Sequence, residues 1–184
     1  MIVRVLVPLA DGFEELEAIS IIDVLRRVGC EVILASLKTS LEVSSQGKVK
    51  FIVDKSIFEI QADCLDAVVF PGGWEGTQNL ANSESLKHIL QILHNKGKII
   101  GAICAAPLAL FKMGILENKR FTCYPGIEGM ITNNYYQTIP NVVEDANIIT
   151  SRGPATALEF AFILAEKLVG LEKTQEIKKG MLVL

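Results

Sequence analysis

The sequence predicts an α/β protein in which a mostly parallel sheet lies between two layers of helices, a doubly wound three-layer sandwich. Two observations predict it: short apolar runs typical of buried strands recur along the chain, and segments with helical periodicity separate them. Parallel strands need helical crossovers, which cover both faces of the sheet. The chain has 184 residues and no evident linker or repeat, so we expect residues 1–184 to form one domain.

Each predicted strand is a run rich in Val, Ile, Leu and Ala that is too short for a helix and ends in small or turn-forming residues. In chain order the runs are IVRVLVP at 2–8, CEVILASL at 30–37, DAVVFPGG at 66–73, KGKIIGAIC at 96–104 and NIITSRG at 147–153. The segment 41–60 carries SSQGK between two short apolar runs, which favours an antiparallel hairpin over a second domain.

Three helices are predicted from apolar residues at helical spacing. Their stripes are Ile21, Val24, Leu25 and Val28 in the first, Leu86, Ile89, Leu90 and Leu93 in the second, and Leu158, Phe162, Ala165 and Val169 in the third. Gly170 is placed to end the third helix, because glycine readily adopts the left-handed conformation of a helix C-terminus.

Charge and composition exclude several classes of partner. The formal net charge is -3 and scattered, so we expect neither a nucleic-acid nor a membrane partner. The uncharged apolar stretch 99–111 is shorter than the ~20 residues of a membrane span, and early acidic residues argue against a signal peptide, so we expect a cytoplasmic protein. The four cysteines are too widely spaced for a metal site, and we expect three of them to be structural: Cys30, Cys64 and Cys123.

The loops after three predicted strands are expected to line one crevice, since the carboxyl ends of parallel strands meet at one edge of a sheet. These loops have the sequences PLADGFEELEA, PGGWEGTQN and GAICAAP. The residues that they bring together are Glu14, Glu15, Glu17, Gly72, Gly73 and Cys104.

Cys104 is the candidate nucleophile, at the junction of a predicted strand and a predicted helix. A tight turn there needs small residues two positions away on either side, and these are Ala102 and Ala106. A helix N-terminus is expected to lower the pKa of the thiol, and the backbone N–H groups of Gly73 and Ala105 are expected to form an anion hole. A structural cysteine at a strand-helix junction is the alternative.

Four segments together resemble the ThiJ/PfpI superfamily, in the branch that contains the parkinsonism-associated protein deglycase and its bacterial relatives. They are ADGFEELEA, VFPGGWEGTQNL, GAICAAPLAL and TSRGPATALEFA, and the similarity runs from Ile2 to Leu184. The resemblance implies a flavodoxin-like fold, a homodimer, a reactive cysteine at Cys104, a partner carboxyl group at Glu17, and backbone donors in the PGG turn at Gly72 and Gly73. We expect no cofactor and no metal.

One departure from the superfamily restricts the chemistry. Many members carry a histidine near the cysteine, on the loop after the next strand, where this chain has Tyr124, and no histidine follows Cys104 at all. The two histidines, His88 and His94, flank the apolar stripe of a predicted helix and are expected to face solvent. The superfamily's proteases carry a histidine directly after the cysteine, where this chain has Ala105. A Cys-His peptidase and a glutamine amidotransferase are therefore excluded.

The remaining chemistry uses Cys104 as nucleophile and Glu17 as acid and base on a small reactive carbonyl compound. Two reactions fit: conversion of methylglyoxal to lactate by a glutathione-independent glyoxalase, and removal of early glyoxal adducts from amines and thiols by a deglycase. The alternative is a non-enzymatic redox sensor or chaperone-like stress protein that acts through oxidation of Cys104. We favour the enzyme, because a crevice with nucleophile, carboxyl group and N–H donors exceeds what a sensor needs.

Four residues near the predicted crevice are assigned no step of the chemistry. Trp74, directly after PGG, is expected to wall the pocket or pack beneath it. Arg152 is expected to recognise an anion or to lie in a dimer contact or surface ion pair. Glu14 and Glu15 are expected to form a solvated acidic first turn of a helix, which the helix dipole favours.

Overall fold

Strands and helices alternate along most of the chain in the computed structural model, which describes residues 2–183. The strands are β1 (Arg4–Leu9), β2 (Glu31–Ser36), β3 (Glu42–Ser44), β4 (Lys50–Ile52), β5 (Lys55–Ser56), β6 (Ala67–Phe70), β7 (Ile99–Ile103), β8 (Val142–Asp145) and β9 (Ile148–Ser151). The helices are α1 (Glu15–Arg27), α2 (Trp74–Ala81), α3 (Glu84–Asn95), α4 (Pro107–Lys112), α5 (Ala157–Val169) and α6 (Leu171–Gly180).

The main sheet has the order β5-β2-β1-β6-β7-β9-β8. Its strands pair in parallel except at one edge, where β8 runs antiparallel to β9. The inner order β2-β1-β6-β7-β9 is that of flavodoxin-like doubly wound proteins, so the predicted fold is confirmed. The predicted excursion at 41–60 contains the antiparallel pair β3–β4, which lies outside the main sheet.

Two hydrophobic clusters cover the two faces of the sheet. Leu6 of β1 packs into the cluster formed with α3 and α4, and its neighbours Val5 and Val7 pack into the cluster formed with α1 and α5. This alternation follows from the period of two along a strand. The predicted stripes of α1 and α3 are buried, as expected. The sheet is therefore the middle layer of an α/β/α sandwich.

The structure corrects the predictions at several elements. Leu158, assigned to the buried stripe of α5, is 46% exposed, and the helix buries Phe160 and Leu164 instead. Because α5 is apolar on more than one side, spacing alone did not select the buried face. The sequence analysis also missed α2, α6 and β8, which have little apolar periodicity: α6 buries only Thr174.

The predicted end of α5 is confirmed, since Gly170 has a φ of 92° and caps the helix. Within residues 2–183 no helix combines the length and the apolar character that crossing a membrane requires.

Gly101 allows α5 to lie close against β7. A Cβ atom at this position would come within 3.1 Å of the Phe160 ring and of Val69 Cγ1. We predict that Gly101→Val lowers the free energy of unfolding by about 1–3 kcal/mol, because the added methyl groups overpack the core. Urea unfolding measures the change.

The control is Gly129→Val, since the exposed Gly129 has no heavy atom within 4 Å of a built Cβ. It should change the free energy of unfolding by less than about 0.5 kcal/mol. Equal effects of the two substitutions would contradict the close packing of α5 on β7.

Candidate active site

The site lies where β1, β6 and β7 end, because these three strands are neighbours in the sheet. The loop after β1 carries Glu14 and leads into α1, whose first turn carries Glu17. The loop after β6 carries Gly72 and Gly73, and Cys104 follows β7 directly. The structure thus brings together the three loops that the sequence analysis assigned to one crevice.

A closed ring of three hydrogen bonds joins the first two loops. The Glu14 N–H donates to the Gly72 carbonyl oxygen at 3.0 Å, the Gly72 N–H donates to Glu17 Oε2 at 2.7 Å, and the Glu17 N–H donates to Glu14 Oε2 at 2.7 Å. The last of these bonds caps the N-terminus of α1. The ring holds the Glu17 carboxyl group at the end of β6.

Cys104 has a φ of 65°, which is unusual for a residue with a side chain. Its N–H donates to the Ser151 carbonyl oxygen at 3.0 Å, and its own carbonyl oxygen accepts from the Tyr124 N–H at 2.9 Å. Ala102 and Ala106 are fully buried on either side. The turn therefore has the small flanking residues that a strained strand-to-helix elbow requires.

Gly72 is the residue that lets the carboxyl group and the thiol meet. A Cβ atom on Gly72 would lie 2.6 Å from Cys104 Cβ and 2.8 Å from Glu17 Oε2. Any larger residue would therefore push the elbow away from Glu17. The glycine is needed for this close approach, which an ordinary tight turn would not demand.

Glu17 is completely buried in the first turn of α1. Burial raises the pKa of its carboxyl group to about 7, and the nearby charge of Glu14 acts in the same direction, while the hydrogen bonds of Gly72 and Cys104 oppose the rise. Its second oxygen, Oε1, is buried and accepts no hydrogen bond of normal geometry. The Cys104 thiol is nevertheless near enough to affect the pKa of the Glu17 carboxyl group. Such a group gains and loses a proton near neutral pH.

The predicted low pKa of Cys104 is wrong. Burial, and then the negative charge of Glu17, raise the pKa of the thiol to about 12, although the N–H groups of Gly73 and Ala105 act to lower it. The helix dipole does not reach the thiol as expected, because α4 begins only at Pro107 and is six residues long. In this pair, therefore, Glu17 ionises before the thiol does.

A cavity of about 530 Å³ opens beside Cys104. Trp74 and Tyr124, both about half exposed, lie in its wall as predicted pocket residues, together with Gly73 and Ala105. Arg152, the other predicted pocket residue, does not line the cavity. Its guanidinium donates to the Thr138 carbonyl oxygen, so it ties two loops together instead of facing a ligand.

The sequence analysis placed Glu14 at the crevice but misassigned its environment. It was expected to be solvated, but it is 9% exposed, caps α1 and lines the cavity. Its place directly before the first helical turn was the signal that could have identified a capping role. Glu15 remains partly exposed and accepts a hydrogen bond from the Gly47 N–H at 3.3 Å.

The remaining cysteines and histidines lie outside this cavity. Cys30 and Cys123 are buried, in agreement with structural roles, but Cys64 is exposed, because it ends a short 3-10 turn at the surface. His88 is exposed and His94 is partly exposed. Among the described residues no cluster of histidine, cysteine and acidic side chains could hold a metal ion.

Comparison with known proteins matches residues 3–167 to the DJ-1/PfpI family. Protein dj-1beta of Drosophila melanogaster is 44% identical over 179 residues, which cover 97% of this chain and 96% of that protein. Glutathione-independent glyoxalase DJR-1.2 of Caenorhabditis elegans is 35% identical over 178 residues, 96% of this chain and 94% of that protein. The crystal structure of Drosophila melanogaster DJ-1beta is similar with a TM-score of 0.96 at 43% identity, over 100% of both chains.

The raised pKa of Glu17 predicts a specific dependence of stability on pH. A carboxyl group with a higher pKa in the folded state holds its proton more tightly there, so its contribution is fully present below its ordinary pKa of 4.5 and is lost as the pH rises to about 7. For Glu17 the free energy of unfolding should fall by roughly 2–3 kcal/mol between pH 5 and pH 8. Glu17→Gln should lack this fall.

Urea unfolding of both proteins at pH 5 and pH 8 isolates the contribution of Glu17. Glu15→Gln is the matched control, because it removes a carboxyl group from the same helical turn at a partly exposed position. It should keep the wild-type dependence on pH. Parallel behaviour of wild type and Glu17→Gln would contradict a raised pKa at Glu17.

Proposed function

The chain belongs to the DJ-1/PfpI family, and from this premise we propose that it converts small reactive carbonyl compounds through Cys104 and Glu17. The observation that carries the proposal is a buried carboxyl group with a pKa of about 7 held beside a thiol at a cavity. The name of the Caenorhabditis elegans relative, a glutathione-independent glyoxalase, supports methylglyoxal as the substrate. Early glyoxal adducts of amines and thiols contain similar carbon centres and are the second substrate class.

The first step is addition of the thiol to the aldehyde carbon of methylglyoxal. The S–C bond forms while the C=O π bond breaks, Glu17 accepts the thiol proton, and the oxyanion takes up that proton to give a hemithioacetal. A thiol with a raised pKa needs a base for this step, and Glu17 is ionised in half of the molecules near pH 7. The N–H groups of Gly73 and Ala105 stabilise the transient oxyanion.

The second step moves a hydrogen within the bound substrate. Glu17 removes the proton from the carbon that carries sulfur, and the ketone oxygen takes up a proton, which gives an enediol. The neighbouring carbon then takes up a proton while the hydroxyl group on the sulfur-bearing carbon loses one, which leaves a lactoyl thioester on Cys104. Water then attacks the thioester, lactate leaves, and the thiol takes up its proton. The sum is methylglyoxal plus water to lactate plus a proton, with no outside oxidant or reductant.

Tyr124 takes no proton in this scheme. Its side chain is 50% exposed at the cavity wall, and a phenol oxygen is a weak proton acceptor. Its backbone N–H holds the Cys104 carbonyl oxygen, so the residue supports the elbow through its main chain. Glu17 therefore carries every proton transfer in the proposed reaction.

We predict that Cys104→Ala abolishes methylglyoxal consumption and that Glu17→Gln lowers kcat by about 10²–10⁴, the usual contribution of a general acid or base. Cys64→Ser is the matched control, because it removes an exposed thiol outside the cavity, and it should keep the wild-type rate. Lactate formation is measured alongside methylglyoxal loss.

A wild-type protein that turns over no faster than Cys104→Ala would contradict the enzymatic proposal. The redox sensor is the alternative, and the N–H groups of Gly73 and Ala105 with buried Glu17 would also suit a cysteine sulfinate. A raised thiol pKa disfavours it, since peroxide oxidises the thiolate. Two added oxygens at Cys104 under mild peroxide, together with no lactate formation, would favour the sensor.

We also propose that the protein is a homodimer. Leu16 and Ile19 on α1 and Ile52 on β4 are large apolar side chains exposed to solvent. The β3–β4 hairpin packs next to the start of α1, since the Phe13 and Phe51 rings contact each other with centroids 5.0 Å apart. Exposed apolar side chains grouped in this way are typical of a protein interface.

We predict that Ile19→Glu converts a dimer to a monomer, because the new charge would be buried at the interface. Light scattering after gel filtration measures the mass. Leu182→Glu, which changes an exposed apolar residue of the C-terminal segment, is the control and should leave the mass unchanged. A wild-type mass equal to that of one chain would contradict the proposal.

A further inference from the structure

The part of the cavity beside Cys104 that one protomer supplies is acidic. Its lining within residues 2–183 includes Glu14 and no lysine, arginine or histidine. The second carboxyl group of the site, Glu17, lies directly behind Gly72. The cations nearest in sequence to lining residues are not in the wall: Arg152 is bound to the Thr138 carbonyl oxygen, and Lys48 is exposed outside it.

Glu14 cannot easily turn its carboxyl group away from the cavity. One of its oxygens caps α1 by accepting the Glu17 N–H at 2.7 Å, and its own N–H is bound to Gly72. The residue is 9% exposed, so solvent screens its charge less than it screens a surface carboxylate. The negative charge is therefore a fixed feature of the space that a ligand of Cys104 must enter.

We propose that Glu14 determines the specificity of the site: its charge admits uncharged and cationic carbonyl compounds to Cys104 and excludes anionic ones such as α-keto acids. The inference rests on the proposed carbonyl reaction and defines its substrate class. Methylglyoxal is uncharged and lactate is an anion, so the same charge leaves substrate entry unopposed and favours product release. A fixed carboxylate in a partly buried pocket should raise the local concentration of a singly charged cation, and lower that of an anion, by about threefold each.

Charged thiol reagents test the proposal without requiring turnover. The 2-aminoethyl and 2-sulfonatoethyl methanethiosulfonates are a cation and an anion that both form a mixed disulfide with Cys104 and release methanesulfinate. The ratio of their rates cancels the fraction of thiolate, since the thiol is the same in both reactions. The experiment uses the Cys64→Ser protein, because Cys64 is exposed, and compares the ratio with that of free cysteine.

In the Cys64→Ser protein, which keeps Glu14, we expect the cation-to-anion rate ratio at Cys104 to exceed that of free cysteine by about tenfold or more. Glu14→Gln should reduce this excess several-fold, because the amide keeps an oxygen that can cap α1 but carries no charge. Glu15→Gln removes a charge from the adjacent position outside the cavity and should leave the ratio unchanged.

Two results would overturn the proposal. One is a ratio in the Cys64→Ser protein equal to that of free cysteine, and the other is equal reductions by Glu14→Gln and Glu15→Gln, which would mean a general effect of helix charge. Failure of the proposed reaction would be seen separately, in the methylglyoxal assay. A protein that shows the expected rate ratios but consumes no methylglyoxal has the charge selection without the glyoxalase activity.

Discussion

The hydrogen bond from the Gly72 N–H to the Glu17 carboxyl group is the contact on which the rest of the site depends. It joins α1 to the end of β6, and the sheet fixes the end of β6 beside β7. Because Gly72 has no side chain, the elbow at Cys104 can approach this junction closely. Three separate stretches of chain thus place one carboxyl group and one thiol in the same small volume, and backbone bonds hold them there.

Burial acts on both groups in the same chemical direction, since it penalises a negative charge on either one. The pKa of Glu17 rises to about 7 and that of Cys104 to about 12. The order of ionisation therefore remains that of ordinary carboxyl and thiol groups. A neutral thiol beside a titrating carboxyl group is suited to reactions in which attack and proton transfer occur together, and less suited to reactions that draw on a stored thiolate.

Much of the fold could be predicted from sequence because apolar runs and helical spacing report burial directly. The strands β1, β2, β6, β7 and β9 and the stripes of α1 and α3 are of this kind. The meeting of the three loops at one crevice could also be predicted, since it depends only on the order of the strands. The pKa of Cys104 could not be predicted from the sequence, because it depends on where α4 begins and on how deeply the thiol is buried. The burial of Glu14 was missed for a similar reason: its position in the sequence is compatible with a capping role but does not tell whether the capping side chain is buried or exposed.

Position 124 is bonded to the nucleophile through its main chain: the N–H of Tyr124 reaches the carbonyl oxygen of Cys104. Every amino acid except proline has this N–H group, so the side chain at 124 can be exchanged without removing the bond that holds the elbow. Its half-exposed ring lies in the cavity wall, so a different side chain at this position would change the shape of the cavity. The main-chain bond that holds the elbow is therefore independent of the side chain that lines the cavity. Substitutions at position 124 can change which ligands fit without loosening Cys104.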